Sequence, residues 1–163
     1  MTAYFDASVI TKWYLPEPDS AQAIRVRARF APPAVLTHLH RVELVTAWHL
    51  KVFRGEMALG IVEQAWGHVQ ADVAAGLWEL PAYDLVDVYS QAESISRRHT
   101  AIQGARSLDI LHVAAAIVLR ATEFVTYDDR QANLARAAGL RVTTLRTRAK
   151  QSGKGRAPTG ESQ

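Results

Sequence analysis

The sequence predicts an α/β fold: a three-layer α/β/α sandwich with a mostly parallel sheet of about five strands. Short β-prone runs recur at 3–5, 34–37, 77–80, 124–127 and 142–145. Longer stretches with helical spacing separate them, near 8–15, 20–30, 39–53, 56–75, 84–99, 107–121 and 130–138. Strands joined by helical crossovers run parallel and take helices on both faces of the sheet.

Taken in order, the first strand ends on Asp6, and Ser8 follows two positions later. Asp19 with Gln22 resembles a capping box for the helix over 20–30. The helix over 39–53, "HLHRVELVTAWHLKVF" with its flank, is apolar almost all round through Val42, Leu44, Val45, Ala47, Trp48, Leu50, Val52 and Phe53. The helix opening "SLDILHVAAAIVL" is the most apolar, with His112 the one polar residue in the ten after Asp109, so it belongs at the centre. Gly139 is a suitable stop for the last helix.

The 163 residues make one domain large enough to bury a core. We assign 1–146 to that domain and 147–163, rich in Gly, Ser, Lys and Arg, to a basic, disordered tail. The isoelectric point of 9.4 owes much to that end of the chain. From residue 146 onward, Arg146, Arg148, Lys150, Lys154 and Arg156 oppose only Glu161, a net charge of +4 against +3 for the whole chain. The remainder is close to neutral and offers no broad phosphate-binding face. There is no cysteine, which excludes a disulfide framework and a thiolate nucleophile or metal site. With no secretory signal and no apolar run long enough to span a bilayer, the expected location is the cytoplasm.

Four carboxylates stand out. Asp6 lies beyond a strand's carboxyl end, where open α/β sheets bind ligands, although it is also a natural helix cap. Glu43 shares a helical face with Leu39, Ala47 and Leu50, or else sits at the rim and pairs with Arg41 or Lys51. Asp109 suits the first turn of a helix capped by Ser107, yet it opens the central helix. Asp128 ends a strand as Asp6 does, and either Asp128 or Asp129 caps the next helix. Two carboxylates about 4 Å apart repel by roughly 4 kcal/mol at an effective dielectric near 20. If the four converge they demand cations, and oxygen donors suit Mg²⁺ or Mn²⁺. His112 reads as a satisfied core histidine, and His38 with His40 lack the further ligands a zinc site needs.

The stretches "YFDASVITKWYLPEP", "VELVTAWH", "RRHTAIQGARSLDILHVAAAIVL" and "EFVTYDDRQANLARAAGL" resemble, in order, the motifs of PIN-domain ribonucleases, with the VapC-type toxins of toxin–antitoxin pairs the closest group. The resemblance covers about residues 1–145. It implies a Mg²⁺- or Mn²⁺-dependent endoribonuclease with Asp6, Glu43, Asp109 and Asp128 as its acids, Asp6 and Asp109 foremost as metal ligands. Ser8 and Thr126 would orient carboxylates. A cognate antitoxin, an RNA substrate and a homodimer are the implied partners, with no membrane. Trp13 is the candidate interface residue unless it packs in the core, and the same choice holds for Trp48, Trp66 and Trp78.

Two rivals share part of the pattern. A haloacid-dehalogenase-like phosphatase wants a second aspartate where Ser8 stands, and leaves Glu43 and Asp109 idle. A PIN fold that only binds RNA or antitoxin would be marked by a missing acid, and all four positions are filled. No complete P-loop and no G-x-S-x-G is present.

Overall fold

The computed structural model describes residues 2–147. Apart from Thr147, the expected tail lies outside the described residues. The elements are β1 (Ala3–Phe5), α1 (Ala7–Tyr14), α2 (Ser20–Arg27), β2 (Ala34–Val35), α3 (His38–Phe53), α4 (Leu59–Ala74), β3 (Trp78–Glu79), α5 (Leu85–Gln103), α6 (Ser107–Val118), β4 (Glu123–Thr126), α7 (Asp129–Ala137) and β5 (Val142–Thr144).

Every strand pairing is parallel, as predicted, but the strands divide into two ladders, β1-β4-β5 and β2-β3. β2 is two residues long, and Pro32 and Pro33 before it have no N–H to extend a ladder. In β1 and β4 the side chains alternate. Tyr4 and Phe124 pack with α5, α6 and α7, whereas Ala3, Phe5 and Val125 pack with α1 to α4. These two apolar clusters, one on each face, make the three layers.

α6 is central because Val113, Ala114, Ala115 and Ala116 are all buried, small side chains that bring its backbone close to the sheet. α3 departs from expectation. Only His40, Leu44 and Trp48 are buried, while Val42, Leu50 and Phe53 face solvent. Its start is set by Thr37, whose Oγ1 accepts the His40 N–H at 3.2 Å while His40 Nδ1 accepts the Thr37 N–H at 3.0 Å.

The box expected at Asp19 does not form. Asp19 has φ of 74° and no side-chain cap bond, and Gln22 instead accepts from the Tyr127 hydroxyl at 3.2 Å. Gly139 does end α7, with φ of 94°, a conformation glycine adopts without strain. Trp13 packs edge-on to Phe5 at 4.8 Å between ring centres and against Trp78 at 5.4 Å. Its ring, like the buried Trp48 and Trp78, serves the core.

Candidate active site

β1 delivers Asp6. Its backbone N–H continues the ladder to the Val125 carbonyl at 2.9 Å, so the residue is fixed where two parallel strands end together. Although Asp6 occupies the cap position of α1, its side chain makes no cap bond. Oδ2 accepts instead from Ser8 Oγ at 2.5 Å and from Thr126 Oγ1 at 2.9 Å.

Donor count then orients a third neighbour. Thr126 has a single hydroxyl proton, used on Asp6, and its oxygen also accepts the Asp128 N–H at 2.9 Å. The Gln131 amide beside it must therefore present nitrogen. So oriented, it lies 3.1 Å from Thr126 Oγ1 and 3.1 Å from each Asp6 oxygen. Asp6 is only 4% exposed. Burial raises its pKa, His112 and the Ser8 hydrogen bond pull it back, and Glu43 adds repulsion.

Glu43 comes from α3. The partners expected for it at the rim are engaged elsewhere: Arg41 lies over the Trp66 ring, 5.6 Å from its centre, and Lys51 pairs with Glu17 at 2.7 Å. Glu43 Oε2 instead stands 2.6 Å from His112 Nε2. The two atoms touch without the alignment of a hydrogen bond, and neither has a hydrogen-bond partner among the described residues. His112 is buried as expected, with Nδ1 2.8 Å from the Tyr4 hydroxyl. Its other nitrogen faces a carboxylate, so it is more than a satisfied core histidine.

Asp109 lies in the first turn of α6, whose cap position is Arg106 rather than Ser107. Its Oδ2 accepts from the Arg106 backbone N–H at 3.4 Å and lies 3.2 Å from the guanidinium Nε. Asp128 is the residue of the doublet that caps α7, accepting from the N–H groups of Arg130 at 2.8 Å and Gln131 at 3.3 Å. A shallow depression lined by Ser8, Arg106, Tyr127, Asp128, Asp129 and Arg130 joins these neighbourhoods. Ser8 leads to Asp6, and Arg106 to Asp109. A larger cavity of about 630 Å³ lies elsewhere, beside β1 and β2, with Arg27 and Glu79 among mostly apolar side chains. It lacks the carboxylate set and is not the candidate.

The donors suit a hard divalent cation, being carboxylate oxygens throughout. A buried Asp6 carboxylate, repelled by Glu43, is a group a cation would satisfy. Among the described residues, however, no three His, Cys, Asp or Glu side chains gather closely enough to hold an ion. Asp109 is engaged by Arg106 and Asp128 by its helix. The donor chemistry fits, while Asp109 is paired with Arg106.

Sequence reasoning missed Gln131 and the link from Tyr4 through His112 to Glu43. A signal existed for Gln131, which sits three residues after a capping aspartate, where side chains fold back towards the strand end. The Tyr4–His112 contact spans 108 positions and left no local trace.

Residues 3–137 match the family model described as PIN domain. Among solved structures, a chain from the crystal structure of FitAcB from Neisseria gonorrhoeae aligns with a TM-score of 0.64 at 17% identity, over 87% of this chain and 96% of that one. At that identity the likeness shows a shared fold. No curated protein matches the sequence.

Proposed function

The chain belongs to the PIN domain family, and from that premise we propose that it is a metal-dependent endoribonuclease, the VapC-type toxin of a type II toxin–antitoxin pair. One observation carries this reading: Asp6, buried at the joined ends of β1 and β4, is aimed by Ser8 and Thr126 instead of capping its helix. A merely structural aspartate there would satisfy the α1 backbone.

In this reading Asp6, Glu43, Asp109 and Asp128 would hold Mg²⁺ or Mn²⁺, with Asp6 and Asp109 foremost. When bound, such an ion supplies an activated water and stabilises charge developing on a phosphodiester. The protein's own residues do the rest. Ser8, Thr126 and Gln131 fix the Asp6 carboxylate, and burial strengthens its hold on a cation by excluding water. Arg106 screens Asp109 until the cation takes its place.

A cognate antitoxin, a homodimer and action on cytoplasmic RNA belong to the same proposal. The exposed Val42, Leu50 and Phe53 on α3 supply apolar surface for a protein partner. No helix among the described residues is long and apolar enough to cross a membrane.

A second reading, a PIN fold that binds without cutting, draws on the engagement of Asp109 by Arg106. Expression of the chain alone separates the two. Growth arrest that disappears with Asp6→Asn supports the nuclease, whereas arrest that persists undiminished supports binding alone.

A further inference from the structure

We infer that His112 is a positioning residue for Glu43, with its tautomer set by Tyr4. The inference rests on the proposal that Glu43 is an active-site acid. Three elements meet in this chain of contacts: Tyr4 from β1, His112 from α6 and Glu43 from α3. The Tyr4 hydroxyl lies 2.8 Å from His112 Nδ1, and Nε2 lies 2.6 Å from Glu43 Oε2.

The direction of the contacts comes from proton counting. A buried phenol carries one proton and directs it to an acceptor, here Nδ1. An imidazole that accepts at Nδ1 bears its proton on Nε2, the nitrogen that faces the carboxylate.

The surroundings leave His112 as the group for this task. It is the buried polar residue of a helix whose other buried residues are Ile110, Val113, Ala114, Ala115 and Ala116, and its ring meets Tyr4, His40 and Glu43. The nearby His40, with ring centres 5.0 Å apart, has its Nδ1 occupied by the Thr37 N–H. A side chain that only filled space would not direct an otherwise unpartnered nitrogen at an otherwise unpartnered carboxylate oxygen. Held in this way, Glu43 keeps one orientation while its second oxygen stays available. Neighbours of metal-ligating groups act on affinity by this kind of restraint.

The test is Mn²⁺ titration calorimetry on the full chain without RNA, with thermal melting as a check on folding. His112→Phe keeps ring volume and loses the nitrogen, and should weaken Mn²⁺ binding about tenfold or more. Tyr4→Phe should weaken it less. His112→Gln, whose amide nitrogen approximates Nε2, should stay within about threefold of wild type and remains informative if the phenylalanine variant fails to fold. In a Glu43→Gln background, His112→Phe should cause no further loss. An equal loss in both backgrounds, or wild-type affinity in His112→Phe, overturns the inference. Unchanged affinity in Glu43→Gln alone removes Glu43 from the ligand set, and the inference falls with that part of the proposal.

Discussion

The hydroxyl of Thr126, at the end of β4, donates its one proton to Asp6, at the end of β1, across 2.9 Å between adjacent parallel strands. The contact joins residues 120 positions apart. It turns a carboxylate that could have capped α1 towards the depression at the strand ends. The consequences of that geometry are measurable on the metal-free protein, on metal binding and on RNA.

Burial raises the Asp6 pKa from its ordinary value. A carboxyl raised on folding adds stability below its unfolded value, about 3.9 for aspartate, and loses that contribution as pH rises through the folded value. Metal-free wild type should therefore lose ground to Asp6→Asn as pH rises from below about 3.9 through the raised folded value. Melting curves across that range provide the check. A variant less stable than wild type at neutral pH would make Asp6 structural.

Glu43 repels the ionised Asp6. Glu43→Gln should leave metal-free stability equal to wild type or higher, while RNA cleavage falls by orders of magnitude. Paired melting and cleavage assays decide it, and full activity would take Glu43 out of the site.

Gln131 is buried and bonds both Asp6 and Thr126 through its amide nitrogen. Gln131→Ala leaves those oxygens with fewer donors and should lower stability by about 1–3 kcal/mol. It should also reduce kcat more than it changes KM, because it disturbs the aim of Asp6. A neutral effect on both would show that Gln131 only fills space.

Arg106 is largely exposed, with 69% of its side chain accessible, so its ion pair with Asp109 contributes little to stability. Arg106→Gln should change stability by no more than about 0.5 kcal/mol. It should tighten Mn²⁺ binding by releasing Asp109. Calorimetry that shows unchanged or weaker binding would contradict competition between the guanidinium and the metal.

Much of the architecture was legible because it rests on local periodicity. The Ala-rich run after Asp109 announced a central helix, and α6 is central. The acids at the ends of β1 and β4 could be picked out because each comes directly after a β-prone run. What escaped is long-range or depends on donor counts. The predicted single sheet divides into two ladders, and Asp19 took a left-handed backbone instead of a cap. The helix pattern of α3 could not tell which apolar residues would face solvent, since Val42 and Leu44 are equally apolar and lie on opposite sides of the burial boundary. Nor could spacing reveal that Glu43 meets His112, because their contact depends on how α3 and α6 approach the sheet.

The central claim is that Asp6 anchors a metal-dependent ribonuclease site, and cleavage of end-labelled single-stranded RNA by the purified full chain tests it most directly. With Mn²⁺ or Mg²⁺ present, wild type should cut the RNA. Cutting should stop with excess chelator and should be absent in Asp6→Asn that melts like wild type. RNA cleavage that survives chelation, or an Asp6→Asn variant as active as wild type, would contradict the account.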